Sequence, residues 1–494
     1  QNEPCRVGVD AKLISLARYQ RIIDALPIGS ELVAIDRNLV DAVRPQVIGS
    51  GGAAHSQHSV VLLTDTGQST ADKLCQLRQK MAQASIEAML ISTLDDIAWI
   101  LNVRGQDIDY NPLVISYLWL TEQTAVWCVD ADKIPSAAQT ELATVGVTIQ
   151  PYDQIGLILS IFSGTVWLDK RCTSWWAGRQ LAGCQLYDSP IPSTLLKACK
   201  NQTELAGMKA AHHADGLAMV KFLYWLTQHG IGQTEYELAV KLDQLRLDHS
   251  DCGGLSFPTI MGYGANGAIV HYEANSQDSV QIATDSLLLF DSGGQYQSGT
   301  TDVTRVVHLG QPTDLQKQYY TLVLKGHIAL ADVTFPAGAC GVHIDMAARQ
   351  FLWQHGLDYG HGTGHGVGAY LCVHEGPQSI SPALRQQALL PGMVVSNEPG
   401  LYLTDQFGIR IENLQYVIER LAQQDSSTGQ GPFYGFETLT LVPYARNLIE
   451  LALLTEVEIA WLDRYHAQVY KTLSNDLPRL ERAWLAQVCE PLFN

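Results

Sequence analysis

The run Leu287-Leu-Leu-Phe-Asp291 and the later run Asp302-Val-Thr-Arg-Val-Val307 each set a carboxylate at the end of an aliphatic pattern. Gly299 and its polar neighbours supply a turn between these strand-like runs, which predicts a β-hairpin turning near residues 296–299. In that hairpin Asp291 and Asp302 lie on adjacent strands, opposite or one diagonal apart. Two carboxylates that close repel unless a proton or a cation sits between them. A lone Asp beside glycine usually does no more than cap a turn, so the pair takes its meaning from the rest of the chain.

The chain has 494 residues, 46% of them apolar, which is enough for about three domains with real cores. Its formal charge of -18, from 32 Lys+Arg against 50 Asp+Glu, excludes nucleic acid or an anionic membrane as the main partner. Ten cysteines without a C-x-x-C pair fit free thiols, so a cytoplasmic location is expected. The longest apolar stretches, such as Leu113–Leu120 and Ile155–Phe162, fall well short of the ~20 residues of a membrane helix.

Residues 6–45 read as strand, helix, strand and short helix, and the same order recurs from Thr165 to Lys200, an internal repeat weak in identity. The second copy is preceded by about a hundred residues of its own, and the first by almost none. The chain, which begins at Gln1, is therefore expected to start inside its first domain. The expected plan is a domain remnant at 1–48, a linker at 49–68 with solvated His55 and His58, a second domain of the same kind at 69–200, a third at 201–445, and a helical extension at 446–494. Leu94–Gly105 reads as a short buried helix closed by Gly105. Asn201-Gln-Thr-Glu204 is a capping box that opens a long amphipathic helix, on which His212 and His213 read as surface residues. Helices at Glu235–Leu247, Leu315–Ala331 and His343–His355, with strands at Ser279–Asp291 and Thr301–Leu309, give an α+β third domain. Leucines and tryptophans of residues 446–494 need cover, either from the subunit's own core or from a second chain.

Gly262-Tyr-Gly-Ala-Asn-Gly267 matches a dinucleotide glycine pattern, but Ala268–Tyr272 reads as extended, so no helix N-terminus is aimed at a pyrophosphate. The interest of this segment is His271. His361-Gly-Thr-Gly-His365-Gly-Val-Gly368 holds two imidazoles in a loop whose glycines let the backbone crowd a ligand. His374 follows, and then Glu398 and Glu412, each beside an aliphatic run where an unpaired carboxylate is costly. Asp291, Asp302, Glu398, Glu412 and one histidine suit two divalent ions of intermediate hardness such as Mn²⁺. Two bridged ions, about 3.5–4 Å apart, can hold a hydroxide and polarise a carbonyl, which is hydrolysis chemistry.

With these motifs the chain resembles the Xaa-Pro aminopeptidases (aminopeptidase P) of the pita-bread metallopeptidase family. The resemblance rests on Asp291–Arg305, Asn266-Gly-Ala-Ile-Val-His271-Tyr272, His361–Gly368, Val373–Pro377, Glu398-Pro-Gly400 and Gly408–Asn413, with Asp96–Trp99 and Asn102–Gly105 extending it to the second domain. It implies a pita-bread catalytic domain preceded by creatinase-like N-terminal α/β domains, in the long three-domain form with a shortened first domain. It further implies Asp291 as ligand to one metal, Asp302 and Glu412 as bridges, and His365 with Glu398 on the other metal. His361 is then a non-ligand contact to the substrate backbone, His271 lines the pocket for the residue after the scissile bond, and His374 bonds the reacting carbonyl or relays a proton. Glu398 doubles as general base, and Arg410 orients a carboxylate. The implied activity is removal of the N-terminal residue from peptides with proline second, using a hydroxide between two ions, most readily Mn²⁺ with Zn²⁺ or Co²⁺ as alternatives, in a homodimer. A prolidase restricted to dipeptides and a catalytically silent peptide-binding member are the alternatives. All five ligand positions are present, which speaks against silence.

Overall fold

The computed structural model describes residues 3–35, 38–41, 43, 60–421 and 431–492. The chain divides into two compact units, Gln1–Lys197 and Ala198–Asn494.

The first unit is built on a six-stranded sheet in the order Gln185–Asp188, Thr165–Leu168, Ala88–Ile91, Ser116–Thr121, Ala125–Val129, Val147–Gln150. The central strand Ala88–Ile91 is buried throughout and runs parallel to Thr165–Leu168 but antiparallel to Ser116–Thr121. The repeat is visible as two parallel pairs, Arg6–Val9 with Glu31–Ala34 and Thr165–Leu168 with Gln185–Asp188. Its copies exchange matching backbone bonds. Leu16 N donates to Thr173 O and Trp175 N to Ile14 O, while Ala17 N donates to Lys170 O and Trp176 N to Ala11 O. Ser15 and Ser174 cap the equivalent helices.

Two expectations change here. Residues 49–59, with His55 and His58, lie outside the described residues, but Val60 is buried and Val61–Leu62 pairs with Val103–Arg104, because this apolar end of the expected linker has a strand to join. The helix Leu94–Leu101 is closed by Asn102 at φ 55 and not by Gly105. Asn tolerates that left-handed conformation, and its Oδ1 accepts from the buried Lys73 Nζ at 2.6 Å. Gly105 instead answers a close approach, since a Cβ there would lie 2.5 Å from Val114.

The second unit is α+β, as expected. Helix Gln202–His229 carries the full capping box of Asn201 and Glu204. His212 is buried, contrary to expectation, because its Nδ1 donates to Met208 O (2.7 Å) on the helix's packed face, and His213 reaches Asp476 (3.1 Å). A three-stranded antiparallel sheet joins Ile260–Tyr263, Leu288–Ser292 and Val303–Val307. A six-stranded sheet runs Phe335–Pro336, Phe433–Thr438, Asn413–Leu421, Val394–Asn397, Gly364–Gly366, Glu375–Ile380, and Gly400–Leu403 pairs with Phe407–Arg410. The strand expected from Ser279 begins only at Leu288, because Tyr263 OH takes the N–H groups of Asp285 and Ser286 out of any ladder. The extended run expected at Ala268–Tyr272 does not form: Gly264–Ala268 is a 3₁₀ turn, opened by Gly264 at φ +56 and held where Asn266 Nδ2 bonds Glu235, and residues 269–271 continue as a bend and turn.

The C-terminal helices Glu456–Leu473 and Arg479–Val488 cover their own unit's core. Leu448, Leu462 and Leu485 are buried with Ile409 and Tyr444, and Leu480 at 64% exposure is an exception. The apolar character of residues 446–492 is therefore largely used within the subunit.

Candidate metal centre and active site

The hairpin that carries the first two carboxylates is two short ladders joined by a break. Asp291 pairs with Thr304 in the outer ladder, and Gln295 and Tyr296 pair with Thr300 and Gly299 in the inner one. At the break, a Cβ on Gly293 would lie 2.0 Å from Thr301 O, so only glycine lets the strands pass. Asp302 then falls just before its strand, diagonal to Asp291, and the two side chains meet.

Asp302, His365 and Glu412 each turn a ligand atom to a common point, all three within 4.8 Å of one another. His365 Nε2 lies 3.4 Å from Asp302 Oδ2 and 3.5 Å from Glu398 Oε1. Its Nδ1 donates to Gly366 O at 2.9 Å, which leaves Nε2 as the lone-pair nitrogen facing the carboxylates, the tautomer a metal ligand needs. Ser396 ties the two residues together: its Oγ donates to Glu398 Oε1 (3.1 Å) and accepts from His365 N (2.9 Å). Thr304 Oγ1 donates to Glu412 Oε2 (2.8 Å), and Arg305 Nη1 to the Glu412 carbonyl. Arg410 Nη2 donates to Asp291 Oδ2 at 2.7 Å, so this arginine does orient a carboxylate.

Burial, joined by the charges of Asp291 and Glu398, pushes the Asp302 pKa well above the carboxylate range. Burial with Asp302, Asp291 and Glu398 nearby does the same to Glu412, and burial raises Glu398 against the pull of His365 and Arg410. Asp291 Oδ1 and Asp302 Oδ1 are buried with no hydrogen-bond partner. Buried carboxylate oxygens crowded in this way cost several kcal/mol unless protons or cations join them. The donor set of four carboxylates and one imidazole therefore fits hard or intermediate divalent ions.

A cavity of about 520 Å³ opens onto this cluster, and all eight residues singled out in the sequence line it, His271, His361 and His374 included. His374 stacks its ring edge-on to His365 at 4.3 Å, and desolvation with His365 beside it pushes its pKa down to about 4. His361 is held at about 4 chiefly by burial. Its Nδ1 donates to Gly362 O (2.8 Å), so Nε2 accepts from Tyr402 OH (2.8 Å), and that hydroxyl accepts from Arg410 Nη1 (2.7 Å). Sequence reasoning missed Tyr402, Thr304 and Ser396. The strand register gives the signal for Tyr402: opposite Gly408, with Gly400 opposite Arg410, it shares a face with that arginine.

The chain matches Metallopeptidase family M24 over residues 206–419, the Creatinase/Prolidase N-terminal domain over 53–204 and the C-terminal region of peptidase_M24 over 432–492. It is 40% identical over 518 residues to a probable Xaa-Pro aminopeptidase P of Colletotrichum graminicola, covering 98% of this chain and 82% of that one. A probable Xaa-Pro aminopeptidase P of Sclerotinia sclerotiorum is 40% identical over 511 residues, covering 98% and 84%. The crystal structure of X-prolyl aminopeptidase from Caenorhabditis elegans, described as a cytosolic enzyme with a di-nuclear active site, superposes with a TM-score of 0.91 at 35% identity, covering 100% of this chain and 82% of that one. The chain belongs to metallopeptidase family M24, with a creatinase-type N-terminal region, a pita-bread catalytic domain and the family's C-terminal region.

Proposed function

We propose that this chain is a metalloaminopeptidase that removes the N-terminal residue from peptides whose second residue is proline. The observation that carries the reading is that four carboxylates and His365, two of the carboxylate oxygens orphaned, line one cavity together with His271 and the apolar Phe257, Pro258, Ile260 and Val270. Such a wall suits a proline ring, and the relatives are named for that substrate.

Asp291 is taken to hold one metal, Asp302 and Glu412 to bridge, and His365 with Glu398 to hold the second, with Mn²⁺ the preferred ion and Zn²⁺ or Co²⁺ alternatives. Divalent ions bound there polarise a carbonyl and make water nucleophilic at neutral pH. Glu398 is the general base, and Oε2 is the atom left to take the proton, since Oε1 already accepts from Ser396. His374, facing the cavity, bonds the reacting carbonyl or relays that proton. His271 lines the proline side. His361 contacts the substrate backbone by giving up its bond to Tyr402.

The reading includes a cytoplasmic homodimer, and domains bounded at residues 48, 68, 200 and 445. All ten cysteines are free thiols, and no helix among the described residues is long and apolar enough to cross a membrane. Light scattering tests the dimer. The activity is tested by loading the protein with Mn²⁺ and following release of the first residue from Xaa-Pro-Yaa and Xaa-Ala-Yaa tripeptides. Cleavage of the first only is expected. Cleavage of Xaa-Pro dipeptides without tripeptides would make it a prolidase instead, and no cleavage would leave a peptide-binding member.

A further inference from the structure

One carboxylate of the cavity belongs neither to the metal cluster nor to the hydrogen bonds that frame it. Glu273 lines the same cavity as Asp291, His365 and Glu398, is exposed, and has no hydrogen bond or ion pair among the described residues. Its neighbour in the chain is anchored: Tyr272 OH donates to the buried Glu235 (2.9 Å) and accepts from Asn266 Nδ2 (3.0 Å). Arg410, the arginine among the described residues lining the cavity, is committed to Asp291 and Tyr402 and offers nothing to an incoming anion.

Resting on the reading above, we propose that Glu273 is a specificity-determining residue that reads the charge just after the substrate's proline. The proline ring takes the apolar wall formed by Phe257, Pro258, Ile260 and Val270, and Glu273 follows that wall in the chain within the same cavity. A dipeptide ends there in a carboxylate, which Glu273 repels. A longer peptide presents a neutral amide, and a lysine or arginine after the proline presents a cation that Glu273 attracts. Unit charges several Å apart across a water-filled cavity change binding by about three- to tenfold, and salt screens the effect.

The experiment compares kcat/KM for the Mn²⁺-loaded wild type and Glu273→Gln on four substrates: Xaa-Pro, its C-terminal amide, Xaa-Pro-Ala and Xaa-Pro-Lys. Metal content is measured on the same samples. In the variant the ratio of free dipeptide to its amide should rise about three- to tenfold, and the ratio of Xaa-Pro-Lys to Xaa-Pro-Ala should fall by a similar factor. Both changes should shrink in about 0.5 M salt while two ions per chain are retained. Glu273→Lys should move both ratios further in the same direction. Ratios unchanged within about twofold, or an equal fall on all four substrates, as when a residue grips the peptide's amino end, would overturn this inference alone. A metal-loaded wild type inert on every Xaa-Pro substrate would overturn both it and the proposed function.

Discussion

Arg410 Nη2 stands 2.7 Å from Asp291 Oδ2, both side chains nearly buried, so the carboxylate proposed to hold one metal already has a cationic partner. Arg410→Met should leave that carboxylate buried and unpaired, at a cost of about 3–5 kcal/mol in metal-free stability, read by denaturant unfolding. An unchanged midpoint would show that the pair is energetically neutral.

The proposed ligands also differ in role. Asp302→Ala and Glu412→Ala each remove a proposed bridge and should lose both ions, while Asp291→Ala should keep one more readily. Mass spectrometry of the three variants checks this, and equal contents would contradict the bridging roles.

Burial and mutual repulsion raise the folded-state pKa values of Asp302, Glu412 and Glu398 above those of the unfolded chain. For an acid with a raised folded pKa, the native state binds more protons, so stability falls as pH climbs from the ordinary carboxylate range toward the raised values. The metal-free protein should therefore lose Tm as pH rises from about 5 to about 8. Saturating Mn²⁺ should remove that slope, since the ions replace the protons. A metal-free Tm that rises over this window would count against the coupled cluster.

His374 faces the cavity with its ring against His365 and has no assigned place among the ligands. His374→Ala should retain two ions and lose kcat by about 10²-fold or more, with KM changing less. Should metal content fall with activity, His374 is a ligand.

Ser396 bonds both His365 and Glu398 from a fully buried position. Ser396→Ala should cost about 10–100-fold in metal affinity, measured by competition with a chelator. An unaltered affinity would mean that the strand alone aligns the two ligands.

Much of this was legible because it is local. The capping box at Asn201 announces its helix, and the helix Glu235–Leu247 has the predicted bounds. The hairpin turn lies where Gly299 puts it, and four of the five proposed metal-site side chains stand out as carboxylates beside aliphatic runs. What escaped depends on distant partners. Residues 279–287 look like a strand until Tyr263, twenty-odd positions earlier, takes their N–H groups. His212 looks solvated because burial of an imidazole is decided by the core it meets, and Tyr402 became legible only through its register with Gly408.

The break at Gly293 also orders events in time. Asp291 and Asp302 share a single hairpin and can meet as soon as it closes, an event of microseconds for such a turn. His365, Glu398 and Glu412 arrive from sequence tens of residues downstream and must wait for the larger sheet. On the proposed ligand set, the two hairpin carboxylates would come together during synthesis before their imidazole partner His365 is in place. An ion caught there early would be held by oxygens alone, which favours hard cations over nitrogen-seeking ones, so the order of folding would bear on which metal such a site takes up.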